Sequence, residues 1–205
     1  MSDDLALLDA WRSGDKAAGD VLLQRHFDGL YRFFRNKLDV GVDDLIQRTF
    51  VACIAAKDAI RKQSTFRTYL FTVARHELYH HYARRQRDAA MFAPETTSIA
   101  SMGASPTSVV AAQQEQRILL RALRDLPLDF QVAIELFYWE QLSMAEIAEI
   151  LEVPVGTAKS RLRRAREALE AKVREIADTP ELAESTLVGF EGWADSIRTL
   201  LGTPA

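Results

Sequence analysis

Apolar residues recur at spacings of three and four over residues 4–13 and 15–37, where Val21, Leu22, Phe27, Leu30, Tyr31 and Phe34 are prominent. That period predicts amphipathic helices. Residues 43–57 continue it with Leu45, Ile46, Phe50 and Ile54, and Gly14 and Gly41 punctuate the joins. A long helix is predicted over 65–87, with Phe66, Leu70, Val73 and Leu78 on one side. The pattern then lapses. Between 89 and 114 the only charged residue is Glu95, and Pro94, Gly103 and Pro106 sit among Ser, Thr and Ala, the composition of a flexible linker. A second helical block runs over about 115–177, broken at Pro127. No stretch sustains the period-two alternation of a strand. The expected fold is all-α. Two small helical domains (1–90 and 115–177) are joined by a flexible linker (91–114). A short helical tail (178–205) follows Thr179-Pro180.

The second block carries a helix-turn-helix pattern. Ser143-Met144-Ala145-Glu146 has the spacing of a capping box, in which hydroxyl and carboxylate satisfy free amides at a helix start. Ile147, Ala148 and Leu151 give that short helix its apolar side, and Glu152-Val153-Pro154 supplies a turn. On the next helix Ala158, Leu162, Ala165 and Leu169 share the core stripe. The opposite side carries Ser160, Arg163, Arg164 and Glu167, flanked by Thr157 and Lys159. An apolar stripe with a basic outer face, placed after a short helix and a tight turn, suits the major groove. Arg161 and Arg166 fall to the sides and are expected to meet phosphates. The competing reading is an ordinary helical hairpin.

Charge at first opposes that reading. The 205 residues hold 26 Lys+Arg against 29 Asp+Glu, a net charge of −3. Its distribution changes the picture: residues 61–90 sum to +5, residues 154–174 to +5, and residues 175–197 to −6. Two compact basic segments in an acidic chain suggest two polyanion contacts. The single cysteine, Cys53, excludes an internal disulfide and is expected to pack as a small apolar residue. No apolar run approaches the ~18 residues of a membrane span, and the start Met1-Ser2-Asp3-Asp4 lacks the basic end of a secretory signal. A cytoplasmic chain without membrane insertion is expected.

One motif points elsewhere. His76-Glu77-Leu78-Tyr79-His80 matches the H-E-x-x-H pattern, which sets two imidazoles one turn apart with a glutamate as base, as in zinc peptidases. A third ligand is needed. His81 points about 100° away around the helix, His26 is distant in sequence, and Glu95 sits in the linker. Peptidase activity is kept only as a remote alternative, with no catalytic residue, metal or cofactor assigned.

The segment 142–169 resembles the promoter-reading C-terminal domain of extracytoplasmic-function sigma factors, and Leu126-Pro127 is similar to that domain's entry. Asp43-Asp44-Leu45-Ile46-Gln47-Arg48-Thr49-Phe50 resembles the family's polymerase-binding helix. Phe66-Arg67-Thr68-Tyr69-Leu70-Phe71-Thr72-Val73-Ala74-Arg75 resembles its promoter-melting helix. The resemblance spans about 5–172. It implies a non-enzymatic factor whose partners are core RNA polymerase and promoter DNA, and which is a monomer when free. An anti-sigma factor or other regulator would be a further partner. By the resemblance, Asp43, Asp44, Leu45, Gln47, Arg48 and Phe50 would bind polymerase. Arg61, Lys62, Phe66, Tyr69, Arg75, His76, Arg84 and Arg85 would capture the minus-ten element. Thr157, Lys159, Ser160, Arg161, Arg163, Arg164 and Arg166 would read the minus-thirty-five element.

Departures from the family pattern bear on these roles. Arg48 stands where Glu is common and Gly41 where an acidic residue is common, so the docking face is less acidic. Thr49 beside Arg48 is one site at which phosphorylation could restore negative charge. Tyr69 replaces a common Trp, and His76 a common polar residue. A regulator binding duplex DNA without polymerase is the other alternative. In the tail, Leu187, Phe190, Ala194, Ile197 and Leu201 repeat at helical spacing, with Trp193 and Leu200 widening the stripe. The tail is read either as a helix packed on its own domain or as an acidic regulatory segment.

Overall fold

The computed structural model describes residues 2–60, 65–92, 114–188 and 190, and among these there is no strand. The chain divides into two compact units, Met1–Ile99 and Ala100–Ala205. The first holds α1 (Ser2–Arg12), α2 (Lys16–Arg35), α3 (Val42–Ala55), a 3-10 turn (Lys57–Ala59) and α4 (Phe66–Phe92). The second holds α5 (Gln114–Arg124), α6 (Leu128–Tyr138), α7 (Met144–Leu151), α8 (Val155–Ile176) and α9 (Pro180–Val188). The expected long helix is present but continues to Phe92, beyond the expected domain end at residue 90. Most of the expected linker lies outside the described residues, as does the tail stripe apart from Leu187 and Phe190.

Local chemistry sets the helix ends of the first unit. The Asp15 carboxylate accepts from the Ala18 amide at the start of α2. Gly41 precedes α3 at φ +83°, a left-handed conformation that a Cβ disfavours. The core of this unit joins Leu22, Leu30, Phe33 and Phe34 of α2 to Leu45 of α3 and Leu70, Phe71 and Leu78 of α4. Phe33 sits edge-on to both Phe34 and Phe71, the arrangement that suits aromatic quadrupoles. Arg12 ties α1 to the 3-10 turn by donating to the carbonyls of Lys57 at 3.0 Å and Ile60 at 2.5 Å.

Gly19 lets α1 approach α2. A Cβ there would collide with the Trp11 indole, and Trp11 is only 7% exposed. Replacing a helical glycine with alanine normally gains up to ~1 kcal/mol, but overpacking a closed contact costs ~1–3 kcal/mol. The clash should win. Gly19→Ala is expected to lower the thermal midpoint of the first unit, and an unchanged or raised midpoint would show that Trp11 can move aside.

In the second unit Leu119 and Leu123 of α5 pack with Ile134 and Leu136 of α6, Ile147 of α7, and Leu162, Ala165, Leu169 and Val173 of α8. The Gln131 amide crosses the Pro127 break, donating to Arg124 O at 3.1 Å and Leu126 O at 2.8 Å. These bonds satisfy carbonyls that a helix end leaves open.

Candidate nucleic-acid interface

The helix-turn-helix is built by α7 and α8. Ser143 and Glu146 form the full capping box: the Ser143 hydroxyl accepts from the Glu146 amide, and the Glu146 carboxylate accepts from the Ser143 amide. Glu152 ends α7 at φ 56° in the left-handed region, which makes the turn sharp enough for Pro154 to start α8. Ala158, Leu162, Ala165 and Leu169 are buried, so the remaining faces of α8 are turned outward.

The outward residues are not equivalent. Lys159, Arg163, Arg164 and Arg166 are exposed, whereas Thr157, Ser160 and Arg161 are half-buried. Arg163 pairs with Glu167 one turn on at 2.5 Å, and Ser160 donates to Thr157 O at 2.9 Å. Arg161 lies 3.5 Å from Asp129 of α6 and is mostly covered, so its charge is partly spent within the unit. Arg166 rests over the Tyr138 ring at 5.7 Å. A basic strip thus crosses one face of the second unit, with Lys159, Arg163, Arg164 and Arg166 its exposed cations.

A second basic strip lies on α4. His76, Arg84 and Arg85 are exposed, and Arg75 lies over the Tyr79 ring at 5.0 Å. Tyr69 is half-buried, and its phenol is pushed up by burial and by neighbouring Cys53. Cys53 is buried, and burial pushes its thiol up to about 12, which keeps it protonated and unreactive. Phe66 is a correction. At 2% exposure it packs against Trp11 and His26, with ring centroids 6.3 and 5.7 Å away. Its face is taken by the core and is not offered to a base. Arg61 and Lys62 lie outside the described residues.

The α3 residues divide likewise. Asp43, Asp44, Gln47 and Arg48 are exposed and Phe50 is half-buried. Leu45, expected to face a partner, has no exposure and fixes α3 to the core. Asp44 is held by Arg48 at 3.0 Å along the same helix. Thr49 is fully buried and donates to Leu45 O at 2.7 Å, so a phosphoryl group on it requires α3 to shift. Between α2 and α3 runs a shallow apolar groove lined by Leu23, Phe27, Ile46, Phe50, Val51 and Ile54, with Asp43 at its edge. That Leu23, Phe27, Val51 and Ile54 line a groove is not evident from the segment 43–50 alone. Their signal is a second apolar stripe on a helix that already has one.

The histidines in and beside the H-E-x-x-H motif have different surroundings. His76 and His80 are exposed on α4, while His81 turns toward α3, where its Cε1 would lie 3.8 Å from a Cβ at Gly41. Burial first, then Arg85 and Arg48, hold the His81 imidazole below its ordinary pKa. Among the described residues no group of three or more His, Cys, Asp or Glu is placed to hold a metal ion. Glu95 lies outside the described residues.

Two helical units, each with a basic helix and one built as a helix-turn-helix, have the features of a DNA-binding protein. Residues 22–88 match the family Sigma-70 region 2, and residues 116–169 match the family Sigma-70, region 4. The chain is 30% identical over 182 residues to the ECF RNA polymerase sigma-E factor of Escherichia coli (strain K12), covering 84% of this chain and 95% of that one. It is 29% identical over 185 residues to the sigma-E factor of Haemophilus influenzae, covering 84% and 96%. Among solved structures it resembles the sigma factor RpoE bound to the anti-sigma factor NepR from Bartonella quintana (TM-score 0.59, 24% identity, 80% and 99% covered). It also resembles CnrH bound to the cytosolic domain of CnrY (TM-score 0.62, 24% identity, 85% and 99% covered). The chain belongs to the ECF sigma factors of the sigma-70 family. It is therefore a transcription initiation factor and not an enzyme; neither the stand-alone regulator nor the zinc peptidase is favoured. No helix among the described residues is long and apolar enough to cross a membrane.

Proposed function

We propose that the chain binds core RNA polymerase in the cytoplasm and directs it to promoters by dividing the work between its two units. The first unit docks through the apolar groove between α2 and α3, with Asp43 and Gln47 at its rim. It captures the melted minus-ten element along α4, where Tyr69 stacks a base and Arg75, Arg84 and Arg85 neutralise phosphates. Arg61 and Lys62 likewise neutralise minus-ten phosphates. The second unit reads the minus-thirty-five duplex with α8, through Thr157, Lys159, Ser160, Arg163 and Arg164, and with Arg161 and Arg166 at the edges. Residues 91–114 connect the two. The chain is monomeric when free, and an anti-sigma factor or other protein regulator is its further partner. The observation that carries this reading is the pairing of two basic helices, α4 and α8, with a separate apolar groove on the first unit. Run-off transcription with core polymerase tests it. Specific transcripts should require the chain, and a chain that shifts promoter DNA alone yet yields no transcript with polymerase would overturn it.

The Asp44–Arg48 pair bears on docking strength. Arg48 neutralises an acceptor that a basic partner helix could use. Arg48→Glu is expected to tighten core polymerase binding several-fold at low salt, and less at high salt because exposed charges are screened. Equal or weaker binding at low salt would show that Asp44 takes no part.

A further inference from the structure

Beyond the residues that match Sigma-70, region 4, the described residues 170–188 and 190 stay packed on the second unit. α8 ends at Ile176, α9 begins at Pro180, and α9 packs on both α5 and α8. Ala183 and Thr186 are buried in that contact, and the Ser185 hydroxyl donates to Glu115 at 2.8 Å. Phe190, 9% exposed, then meets Tyr138 edge-on with ring centroids 4.7 Å apart. Tyr138 also carries the Arg166 guanidinium on its ring at 5.7 Å. Since Arg166 lies well before the end of α8, α9 runs back alongside α8 toward the basic face.

We propose that Phe190 is a positioning residue for duplex reading: it backs Tyr138, and the Tyr138 ring holds the Arg166 guanidinium at the edge of the recognition face. This rests on the reading of α8 as the duplex-reading helix. An exposed arginine loses rotamer freedom when it is fixed on a phosphate. A ring that takes the guanidinium face in advance reduces that cost and leaves the N–H edges free for phosphate oxygens. The ring serves only if it is itself held, and the edge of Phe190 packs against it. The C-terminal segment thereby adds a component to the DNA-binding face that residues 116–169 do not contain.

The test uses full-length chains assembled with core polymerase and a labelled promoter duplex selected from a randomised library by the unaltered holoenzyme. Binding is followed by anisotropy across about 50–200 mM salt. Phe190→Leu keeps the apolar burial but removes the aromatic edge, and should weaken binding about two- to five-fold. Phe190→Tyr should bind as the unaltered chain does. Arg166→Ala should weaken binding and flatten the salt dependence by about 0.9 in log–log slope. Phe190→Leu combined with Arg166→Ala should be no weaker than Arg166→Ala alone. Unaltered affinity in Phe190→Leu, or a loss that adds in full to that of Arg166→Ala, would overturn the proposal while leaving α8 as the reading helix. Unaltered affinity and slope in Arg166→Ala would instead remove Arg166 from the reading face, and the role of Phe190 with it.

Discussion

Ile54→Asp should abolish most binding to core polymerase while leaving the free chain folded. Ile54 is 47% exposed at the end of α3, on the wall of the apolar groove. A carboxylate there remains in water in the free chain. Its main cost is opposition to the helix dipole in the last turn, about 0.3–1 kcal/mol. In a docked complex the same carboxylate is desolvated without a partner, at a cost of ~2–5 kcal/mol or more. The helix-dipole cost is common to the free and docked chain, so the desolvation cost of at least ~2 kcal/mol sets the change in affinity, a rise in Kd of at least roughly thirty-fold. Titration of labelled chain with core polymerase measures it, and run-off transcription should fall in parallel. An unchanged Kd alongside an unchanged melting profile would place the docking face somewhere other than the groove.

Replacing Arg163 and Arg164 together with alanine should have the next largest effect, this time on duplex binding. Both residues are exposed on α8, and the bond Arg163 makes to Glu167 is an i,i+4 surface pair. Such pairs are worth ~0.3–0.5 kcal/mol, and alanine is at least as good a helix former as arginine. Stability should therefore change little. On DNA, each arginine that reaches a base edge is worth ~1–3 kcal/mol and each phosphate contact adds about 0.9 to the salt slope. The double variant should lose roughly ten- to hundred-fold in affinity for a promoter duplex, with a flatter salt dependence. Loss of affinity with an unchanged slope would identify base contacts alone. No loss at all would remove the outer face of α8 from the interface.

These two expectations differ in how they became visible. The α8 face could be read from residue order, because the core stripe of a helix fixes where every other side chain points. Once Ala158, Leu162, Ala165 and Leu169 are assigned inward, Arg163 and Arg164 must face out. The capping box at Ser143 and Glu146 is equally local, since its partners lie three residues apart. The groove could not be read in this way. Leu45 and Ile54 are both apolar residues of α3, and periodicity alone does not say which meets the core. Packing against α2 and α4 leaves Leu45 with no exposure and Ile54 at 47%. The same limit explains Phe66. Its place at the start of α4 suits a stacking platform, but Trp11 and His26, forty or more positions earlier, close over it.

By itself the sequence determined the helical periodicity, the order and approximate length of the helices, the helix-turn-helix with its cap, and the two basic segments hidden under a net charge of −3. All of these depend on contacts or spacings within a few residues, where backbone geometry dictates which side chains share a face. Tertiary structure alone decided that Phe66 and Leu45 belong to the core, that Asp44 is paired with Arg48 while Asp43 stands at a groove, and that the element His81 meets is the start of α3. It also decided that Phe190 returns to Tyr138 beneath Arg166. The physical reason is the same in each case. Burial and rotamer choice are set by neighbours distant along the chain, and their positions exist only once the helices have packed.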